Sequence, residues 1–343
     1  MRYVNTYSYN KPSVLIPRKG SITNVFFLDT PFWNVDTIYY TEIDERKINP
    51  KFFYYFMASI DLMKLDTGSG RPSLTQAILN EVLIPIPHPN NPKKSLKIQQ
   101  KIVDVLDTFT ELTAELTAEL TARQRQYAYY REELFRFGEG EVEWKALGDS
   151  KAGEFQRGKR FVKKDMISEG VPCIHYGEMY THYGPWANTT RSYLSPELVN
   201  RKNLRVAEEG DIVIVAAGET IEDIGQGTAW LGRQSVVIHD ACFSYSTDIN
   251  PKYIAYFTRT RQFQDQVRRH VSSGKISAIN ARGLGKVKIP VPPPEEQFRI
   301  VAILDQFDTL INSINEGLPR AIELRQKQYE YYRDALFNFP KPD

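Results

Sequence analysis

The chain has 343 residues, of which 41% are hydrophobic and 25% charged, and its formal net charge is +2. This length indicates two or three domains, or one domain built twice. No apolar run approaches the roughly 18 residues of a membrane span, and the N-terminus lacks the apolar core of a secretion signal. Two cysteines, Cys173 and Cys242, exclude a disulfide framework. We therefore expect a folded cytoplasmic protein with no membrane partner.

One unit is written twice along the chain. Pro12–Gly20 aligns with Gly210–Gly218. Four further pairs of segments correspond in the same order: Ile48–Phe56 with Ile249–Phe257, Val82–Pro87 with Val287–Pro292, Ile98–Phe109 with Glu296–Phe307, and Tyr127–Phe137 with Tyr329–Phe339. Such collinear matches indicate a tandem duplication. The first copy lacks a counterpart for about the first 60 residues of the second, so we expect its globular part to be N-terminally truncated.

The first copy contains a helix start, a proline-rich exit and a long helix. Asn49 predicts an N-cap and Pro50 the first helical position. Val82–Pro87 is interpreted as the exit from the globular part, because proline breaks regular structure. The long helix that follows has a stripe of mostly apolar residues on one face, at alternating spacings of 4 and 3, as in a coiled coil. They are Ile102, Leu106, Phe109, Thr113, Leu116 and Leu120.

The second copy repeats this order with a longer globular part. Asp211–Val215 and Ser235–Ile238 are rich in β-branched residues and predict strands. Asn250 predicts another N-cap, and Val287–Pro292 another exit. The last helix carries its stripe at positions 300, 304, 307, 311, 314, 318 and 321. Gly317-Leu-Pro319 should interrupt it.

These patterns predict an α+β fold in which two globular domains are joined by two long antiparallel coiled-coil helices with a pseudo-two-fold repeat. The predicted segments are a partial first globular domain at 1–96, a central helix at 97–138, a second globular domain at 142–293 and a C-terminal helix at 294–339. In the alternative arrangement each helix packs on its own globular part.

The central helix contains the tetrapeptide Glu-Leu-Thr-Ala three times, at residues 111–122. One tetrapeptide adds about 6 Å of helix. Its copy number is therefore either a ruler between the two globular parts or the result of neutral slippage in a solvated helix.

Catalytic motifs are missing from the sequence. There is no Asn/Asp-Pro-Pro-Tyr/Phe motif of an adenine methyltransferase and no phosphate-binding Gly-x-x-x-x-Gly-Lys-Ser/Thr loop. Cys173 and His175 have no second ligand pair, and Asp211 and Glu219 lack the lysine of a nuclease site. We expect no catalytic and no metal-binding residue. A self-contained nuclease or methyltransferase is the rival hypothesis, and enzymatic turnover by the purified chain would support it.

The repeated Ile-Pro-x-Pro exits and Gln-x-x-Ile-Val-x-x-Leu-Asp-x-Phe helices resemble the specificity subunit (HsdS) of type I restriction–modification systems. The tetrapeptide repeats, Gly140–Lys145 and Leu324–Arg333 are similar to its type IC branch. The resemblance covers essentially the whole chain. The missing start of the first copy departs from the family pattern.

This resemblance implies a non-catalytic subunit whose globular parts are target recognition domains, each reading half of a bipartite site in double-stranded DNA. It also implies that the helices dock two methyltransferase subunits (HsdM), that endonuclease/translocase subunits (HsdR) join them, and that the tetrapeptide count sets the spacer of the site. S-adenosylmethionine, ATP and Mg²⁺ would be bound by the partners and no cofactor by this chain.

Candidate DNA-binding residues are cations, amides and planar groups beside glycines. In the second globular part they are Gln156, Arg157, Lys159, Arg160, His175, Tyr176, Arg233, Ser273 and Lys275. In the first they are Arg18, Lys19 and Arg71. The glycine within Gln156–Arg160 predicts that the backbone can approach DNA closely there.

Tyrosines recur at equivalent places near the ends of the two long helices. Tyr127, Tyr130, Tyr329 and Tyr332 are the candidate contacts to partner subunits, with helix–helix packing as the alternative for some of them. The shortened first copy leaves a second function open, that of an interfering fragment that reads one half-site or acts only as a homodimer.

Overall fold

The computed structural model describes residues 6–66, 70–272, 274, 276–313 and 316–339. The chain divides into two compact units: unit 1 comprises Met1–Leu120 and Ser313–Asp343, and unit 2 comprises Thr121–Asn312. Each unit therefore combines one globular part with helical segments from two distant places in the chain. The four consecutive segments at 1–96, 97–138, 142–293 and 294–339 stay a prediction.

The globular part of unit 1 is built on a three-stranded antiparallel sheet. Its strands are β1 (Ser13–Pro17), β2 (Phe26–Leu28) and β3 (Ile38–Tyr40), in the order β2-β1-β3. The helix α1 (Pro50–Ser59) shares a hydrophobic core with β1. The side chain of Asn49 accepts hydrogen bonds from the backbone N–H groups of the first turn, which confirms the predicted N-cap. A 3₁₀ turn (Leu62–Leu65) and α2 (Gln76–Asn80) follow.

The central helix α3 runs from Pro92 to Glu133 and is 42 residues long, or about 60 Å. It begins earlier than the predicted residue 97 because Asn91 and Pro92 form another cap. The side chain of Asn91 accepts a hydrogen bond from the N–H of Lys94 at 3.0 Å. The predicted stripe is confirmed: its first two members, Ile102 and Leu106, are buried, and the other four are partly buried.

The globular part of unit 2 contains more elements. Its strands are β4 (Glu143–Ala146), β5 (Glu154–Arg157), β6 (Val171–Ile174), β7 (Trp186–Ala187), β8 (Ser192–Leu194), β9 (Val206–Ala207), β10 (Ile212–Val215), β11 (Ala217–Gly218), β12 (Gly227–Trp230), β13 (Val236–Ile238), β14 (Cys242–Ser246), β15 (Ser277–Ala278) and β16 (Lys288–Val291). Its helices are α4 (Tyr176–Thr181), α5 (Pro196–Lys202), α6 (Pro251–Phe257), α7 (Arg261–Arg268) and α8 (Ala281–Leu284), with 3₁₀ turns at Lys163–Asp165 and Ile221–Asp223. Both predicted strands are confirmed as β10 and β13.

Two larger sheets enclose the core of unit 2. One has the order β5-β14-β10-β12-β7 and the other β8-β6-β13-β9. Val213, Trp230 and Ile238 contribute to the shared apolar cluster, in which β-branched side chains fit between the two sheets. In α6, Asn250 forms the predicted N-cap by accepting a hydrogen bond from the N–H of Tyr253. This packing fixes the loops that leave the strand ends.

The second proline-rich segment is a strand rather than an irregular exit. Lys288–Val291 pairs antiparallel with Glu143–Ala146, and Pro290 lies opposite Trp144. Proline is tolerated here because a two-stranded ladder leaves one edge without hydrogen bonds. The equivalent Val82–Pro87 forms no strand in the described part of unit 1.

The C-terminal helical region consists of α9 (Pro294–Asn312) and α10 (Gly317–Leu336), so the predicted interruption is confirmed. In unit 1 the ring of Phe109 on α3 stacks on Tyr332 of α10 at 5.3 Å. In unit 2 the ring of Tyr130 on α3 stacks on Phe307 of α9 at 5.6 Å. The order of these contacts along the helices is antiparallel, as predicted. The long helix α3 also packs on the globular part of its own copy, since Ile102 and Leu106 share a hydrophobic cluster with Phe52 of α1. The alternative arrangement, in which a helix packs on its own globular part, is therefore present as well.

Candidate nucleic-acid interface

A surface cleft of about 400 Å³ opens in unit 2 where loops from both sheets meet. Its walls come from the segment after β5, the start of α4, the β10–β11 region and the turn between β13 and β14. The lining combines cations, carboxylates and rings: Arg160, Phe161, Val162, Lys163, His175, Tyr176, Ala217, Gly218, Glu219, His239, Asp240, Ala241 and Ile276. Three of these, Arg160, His175 and Tyr176, were predicted as DNA-binding residues, and the fold brings them together.

A cluster of rings forms one wall of this cleft. The ring centroid of His175 lies 4.6 Å from that of Tyr176 and 4.6 Å from that of His239. Phe161 is completely buried, and its ring centroid lies 5.2 Å from that of His239. The parallel pairing of β6 with β13 places the two histidines side by side, because each follows the last residue of one of these strands.

Both histidines are neutral near pH 7. Burial, reinforced by the neighbouring His239, lowers the pKa of His175 to about 4, and burial also lowers the pKa of His239. The Nδ1 of His175 accepts a hydrogen bond from the N–H of Gly177 at 3.2 Å, so the neutral ring carries its proton on Nε2. His175 is thus a buried, neutral ring of the cleft wall whose Nε2–H can donate a hydrogen bond.

Of the segment from Gln156 to Arg160, Arg160 lines the cleft, and Gln156, Arg157 and Lys159 do not. Gln156 and Arg157 are exposed on the edge strand β5, and Arg160 is exposed at the cleft itself. The guanidinium of Arg157 is partly committed, since it lies 5.1 Å from the Phe243 ring centroid and its Nε donates to the carbonyl of Asp240. Lys159 is half-buried, and its backbone N–H donates to the carbonyl of Ile238.

Gly158 does not serve the purpose predicted for it. The residue is buried, and a Cβ atom at this position would lie 2.2 Å from the carbonyl oxygen of His239. The glycine is therefore required by the packing of its own backbone against the turn after β13. The interpretation as an approach site for DNA was wrong, because sequence alone does not show which backbone the glycine faces.

The remaining predicted residues of unit 2 lie elsewhere or are not described. Arg233 is exposed between β12 and β13 and does not line the cleft. Ser273 and Lys275 lie outside the described residues. Ile276, which is described, is 63% exposed and lines the cleft.

Unit 1 brings its three predicted cations together at the equivalent place. Lys19 pairs with Ser73 in an antiparallel bridge, as Ala217 pairs with Ala278 in unit 2. This pairing places the guanidinium of Arg71 against Gly20, whose built Cβ would lie 3.0 Å from an Arg71 nitrogen. Arg18 is partly committed, because its Nη1 donates to the carbonyl of Asp36 at 2.7 Å.

Lys163, Glu219, His239 and Asp240 line the cleft but were not predicted from the sequence. The one available signal was position, since His239 and Asp240 directly follow the predicted strand at 235–238. Their carboxylates and cations extend the chemistry of the cleft. Carboxylates accept from base amino groups, and cations contact guanine edges or phosphates.

The helix tyrosines divide into inward and outward rings. Tyr127 is buried, and its ring lies 6.1 Å from Phe307. Tyr329 is partly buried, 6.4 Å from Tyr55. Tyr130 and Tyr332 stack on phenylalanines but remain 39% and 44% exposed. The most exposed rings are the adjacent Tyr129 and Tyr331, at 61% and 69%. Equivalent tyrosines therefore form equivalent outward surfaces in both repeats, and Tyr127 is occupied by internal packing.

Reactive or metal-binding constellations are not found in the described ranges. Burial raises the pKa of the Cys173 thiol to about 12, so it has little thiolate character. No three His, Cys, Asp or Glu side chains of the described part converge as a metal site would require. No helix among the described residues combines the length and apolarity needed to cross a membrane.

Comparison with known proteins matches residues 1–123 and 141–324 to the family described as "Type I restriction modification DNA specificity domain". The chain belongs to this family. It is 37% identical over 313 residues to the EcoR124I/EcoR124II specificity subunit of Escherichia coli, covering 88% of this chain and 74% of that relative. It is 32% identical over 277 residues to the EcoprrI specificity subunit of Escherichia coli, covering 78% of this chain and 63% of that relative.

Solved structures show the same fold at low sequence identity. The HsdS subunit from Thermoanaerobacter tengcongensis superimposes with a TM-score of 0.51 at 17% identity, covering 95% of this chain and 80% of the other. A chain from a structural study of the assembly and conformational transition of the type I R-M system gives a TM-score of 0.63 at 17% identity, covering 95% and 81%. The sequence-based assignment to specificity subunits is thus confirmed, and the type IC branch stays a prediction.

Proposed function

We propose that this chain is the sequence-reading subunit of a type I restriction–modification complex and that unit 2 reads one half of a bipartite DNA site through its cleft. The observation that carries this proposal is the composition of the cleft. Arg160 and Lys163 supply positive charge at the rim, and the neutral His175 supplies a directional donor beside the stacking face of Tyr176. Phosphate contacts would position the duplex, and the uncharged and acidic groups would distinguish bases.

The test removes two exposed cations that line the cleft, Arg160 and Lys163, together (Arg160→Ala, Lys163→Ala) in the complex assembled with its methyltransferase subunits. We expect weaker DNA binding, and the slope of log affinity against log salt should flatten by about 1.8 for two lost phosphate contacts. The matched control removes two exposed cations that do not line the cleft, Arg201 and Lys286. Equal affinities and slopes for the two double variants would refute the assignment of the cleft.

The proposal also assigns the non-catalytic roles. The chain would supply sequence recognition to two methyltransferase subunits and to endonuclease/translocase subunits. Those partners would bind S-adenosylmethionine, ATP and Mg²⁺. The outward pairs Tyr129–Tyr130 and Tyr331–Tyr332 support docking of two identical partners, because adjacent rings meet edge to face at 5.5 Å and 5.4 Å in the two repeats. Turnover of DNA by the chain alone, without partners, would contradict this division of labour.

The tetrapeptide segment at 111–122 is proposed to set the length of the unread spacer. It lies entirely within α3, with its leucines partly buried and its glutamates exposed. Inserting one further Glu-Leu-Thr-Ala unit should lengthen the spacer of the methylated motif, because the helix would grow by about 6 Å. Sequencing of methylated DNA from cells that carry the variant and its partners measures the spacer. The same motif in wild type and variant would reject the ruler.

An interfering fragment or homodimeric reader is the second candidate. It is favoured by one observation, the three-stranded sheet of unit 1 compared with the two larger sheets of unit 2. In that case the complex would methylate a site with one defined half, or a symmetric site. Determination of the methylated motif separates the two candidates.

A further inference from the structure

Two arginines of unit 2 meet beside the cleft but outside its lining. Arg157 is exposed at the end of β5, and Arg205 is exposed directly before β9. The Nη1 of Arg205 donates a hydrogen bond to the backbone carbonyl of Arg157 at 2.8 Å, although the two residues are 48 positions apart in the chain. Arg205 was not predicted from the sequence as a DNA-binding residue.

The two sheets bring these arginines to the turn between β13 and β14. Arg157 lies opposite Phe243 in the pairing of β5 with β14, and its Nε donates to the carbonyl of Asp240 in the turn at 2.8 Å. Arg205 precedes the pairing of β9 with β13, and its carbonyl accepts from the N–H of Ile238 at 3.0 Å. The same turn lines the cleft, so the arginine pair borders the candidate DNA-binding surface.

The guanidinium groups of the pair are held in place but are not neutralised. Each uses one nitrogen on a carbonyl oxygen, and that of Arg157 also lies over the Phe243 ring. Among the described residues, no carboxylate forms an ion pair with either group. The Oδ1 of Asp240, on the same turn, lies instead 3.0 Å from the Nδ1 of His239. Because the side chains are already oriented, less conformational entropy is lost when an anion binds them.

We propose that Arg205, together with Arg157, binds a backbone phosphate of the DNA whose bases are read in the cleft. A phosphodiester is the fitting occupant, because a guanidinium group with free N–H groups donates to two oxygens of one phosphate. Arg160 continues the exposed positive charge into the cleft. Arg205 would thereby position the duplex without distinguishing bases. This inference rests on the proposed function, in which the cleft of unit 2 meets DNA.

The experiment uses the full chain assembled with its methyltransferase subunits, and DNA that contains its methylated motif. Arg205→Ala should weaken binding about fivefold and flatten the slope of log affinity against log salt by about 0.9, on this DNA and on unrelated DNA alike. Arg205→Lys keeps the charge but loses the planar fork, so it should retain the slope and weaken binding about twofold. The matched control is Arg201→Ala, which removes an exposed arginine of α5 outside the cleft lining and should change neither quantity.

Neutral methylphosphonate linkages in the DNA locate the contacted phosphate. Phosphates of the half-site are replaced one at a time, and one position should weaken binding by the wild-type complex about fivefold but leave the Arg205→Ala complex unaffected. A merely structural effect of the variant would not remove the sensitivity at a single phosphate. Urea denaturation with an unchanged midpoint confirms that the variant is folded.

Three results would overturn the proposal. They are an unchanged affinity and slope for Arg205→Ala, equal sensitivity of variant and wild type at every methylphosphonate position, and failure of the variant to assemble with the methyltransferase subunits. The last result would identify Arg205 as a subunit contact. The double variant of Arg160 and Lys163 tests the proposed function separately: if it weakens binding and Arg205→Ala does not, the phosphate contact alone is rejected.

Discussion

In both units the globular part contacts its long helix through the same side-chain interactions, but the two candidate DNA-binding surfaces differ. In unit 1 the hydroxyl of Tyr55 donates to Asp107 at 2.6 Å, and in unit 2 that of Tyr256 donates to Asp305 at 2.7 Å. Lys51 and Lys252 complete the two contacts with equivalent ion pairs. The contact between globular part and long helix therefore uses the same residue types in both copies.

The candidate DNA surfaces do not correspond in this way. In unit 2 the strands and loops before β10 supply the ring cluster with His175 and Tyr176. In unit 1 the equivalent place holds the cations Lys19 and Arg71, and no counterpart of that ring cluster is found among the described residues. The comparison teaches that His175 and Tyr176 come from the segment before the sheet that both units share, whereas the cations Lys19 and Arg71 of unit 1 lie in the part that is common to both copies.

The largest expected effect concerns the helix ends that anchor each unit. Phe135 is completely buried between Tyr253 and Phe257, whereas the equivalent Phe337 is only partly buried. Phe135→Ala should lower the free energy of unfolding by about 3–5 kcal/mol. Phe337→Ala should lower it by about 2 kcal/mol, because less area is lost from the core.

Urea denaturation, followed by hydrogen exchange to identify the unit that opens, measures both changes. Phe298→Ala is the control, since this side chain is 64% exposed and its loss should cost less than about 0.5 kcal/mol. Equal costs at the two equivalent phenylalanines would show that the units are equally well packed.

The second prediction separates positioning from base reading. Lys19→Ala with Arg71→Ala should weaken DNA binding by the assembled complex to a similar degree on all sequences and flatten the salt slope by about 1.8. Tyr176→Ala should instead relax the base preference of one half-site, because its ring lies in the unit 2 cleft. Binding to a library of DNA sites at two salt concentrations measures both effects. A change of base preference in the unit 1 variant would abolish the distinction.

The smallest effect is a pH dependence limited to unit 2. The pKa of His175 is lowered by burial to about 4, so the unfolded chain binds more protons than the folded chain between that value and about 6.5. Stability is therefore unaffected above pH 6.5 and falls as the pH drops toward 4. His175→Asn keeps an acceptor for the N–H of Gly177 and removes the titration, so it should reduce the loss. Denaturation midpoints at pH 7 and pH 5 test this, and an unchanged difference would exclude His175 as its source.

Local features of the fold followed directly from the sequence. Asn49, Asn250 and the interruption near Gly317 were predicted because caps and breaks depend on neighbours in the chain. The pairing of the long helices was also predictable. Both copies have apolar residues at the same spacing, and such residues are buried when the two helices pack together.

The cleft followed only in part. His175 and His239 are 64 positions apart and meet through the register of β6 with β13, in which Ile174 pairs with Ile238. No local pattern specifies that register, so His239 and Lys163 were missed. The function of Gly158 was misread for the same reason, because the backbone that it contacts lies about 80 residues further along the chain.

The boundary between the units crosses the two helical regions differently. It falls between Leu120 and Thr121, inside the continuous α3, and between Asn312 and Ser313, where α9 ends before α10 begins. One added tetrapeptide would turn the far end of α3 by about 40° beyond a full turn, because four residues exceed the 3.6 of one turn. A continuous partner helix packed along α3 would have to follow this rotation. Because α9 and α10 are separate helices, that turn would not have to be matched along a continuous partner helix.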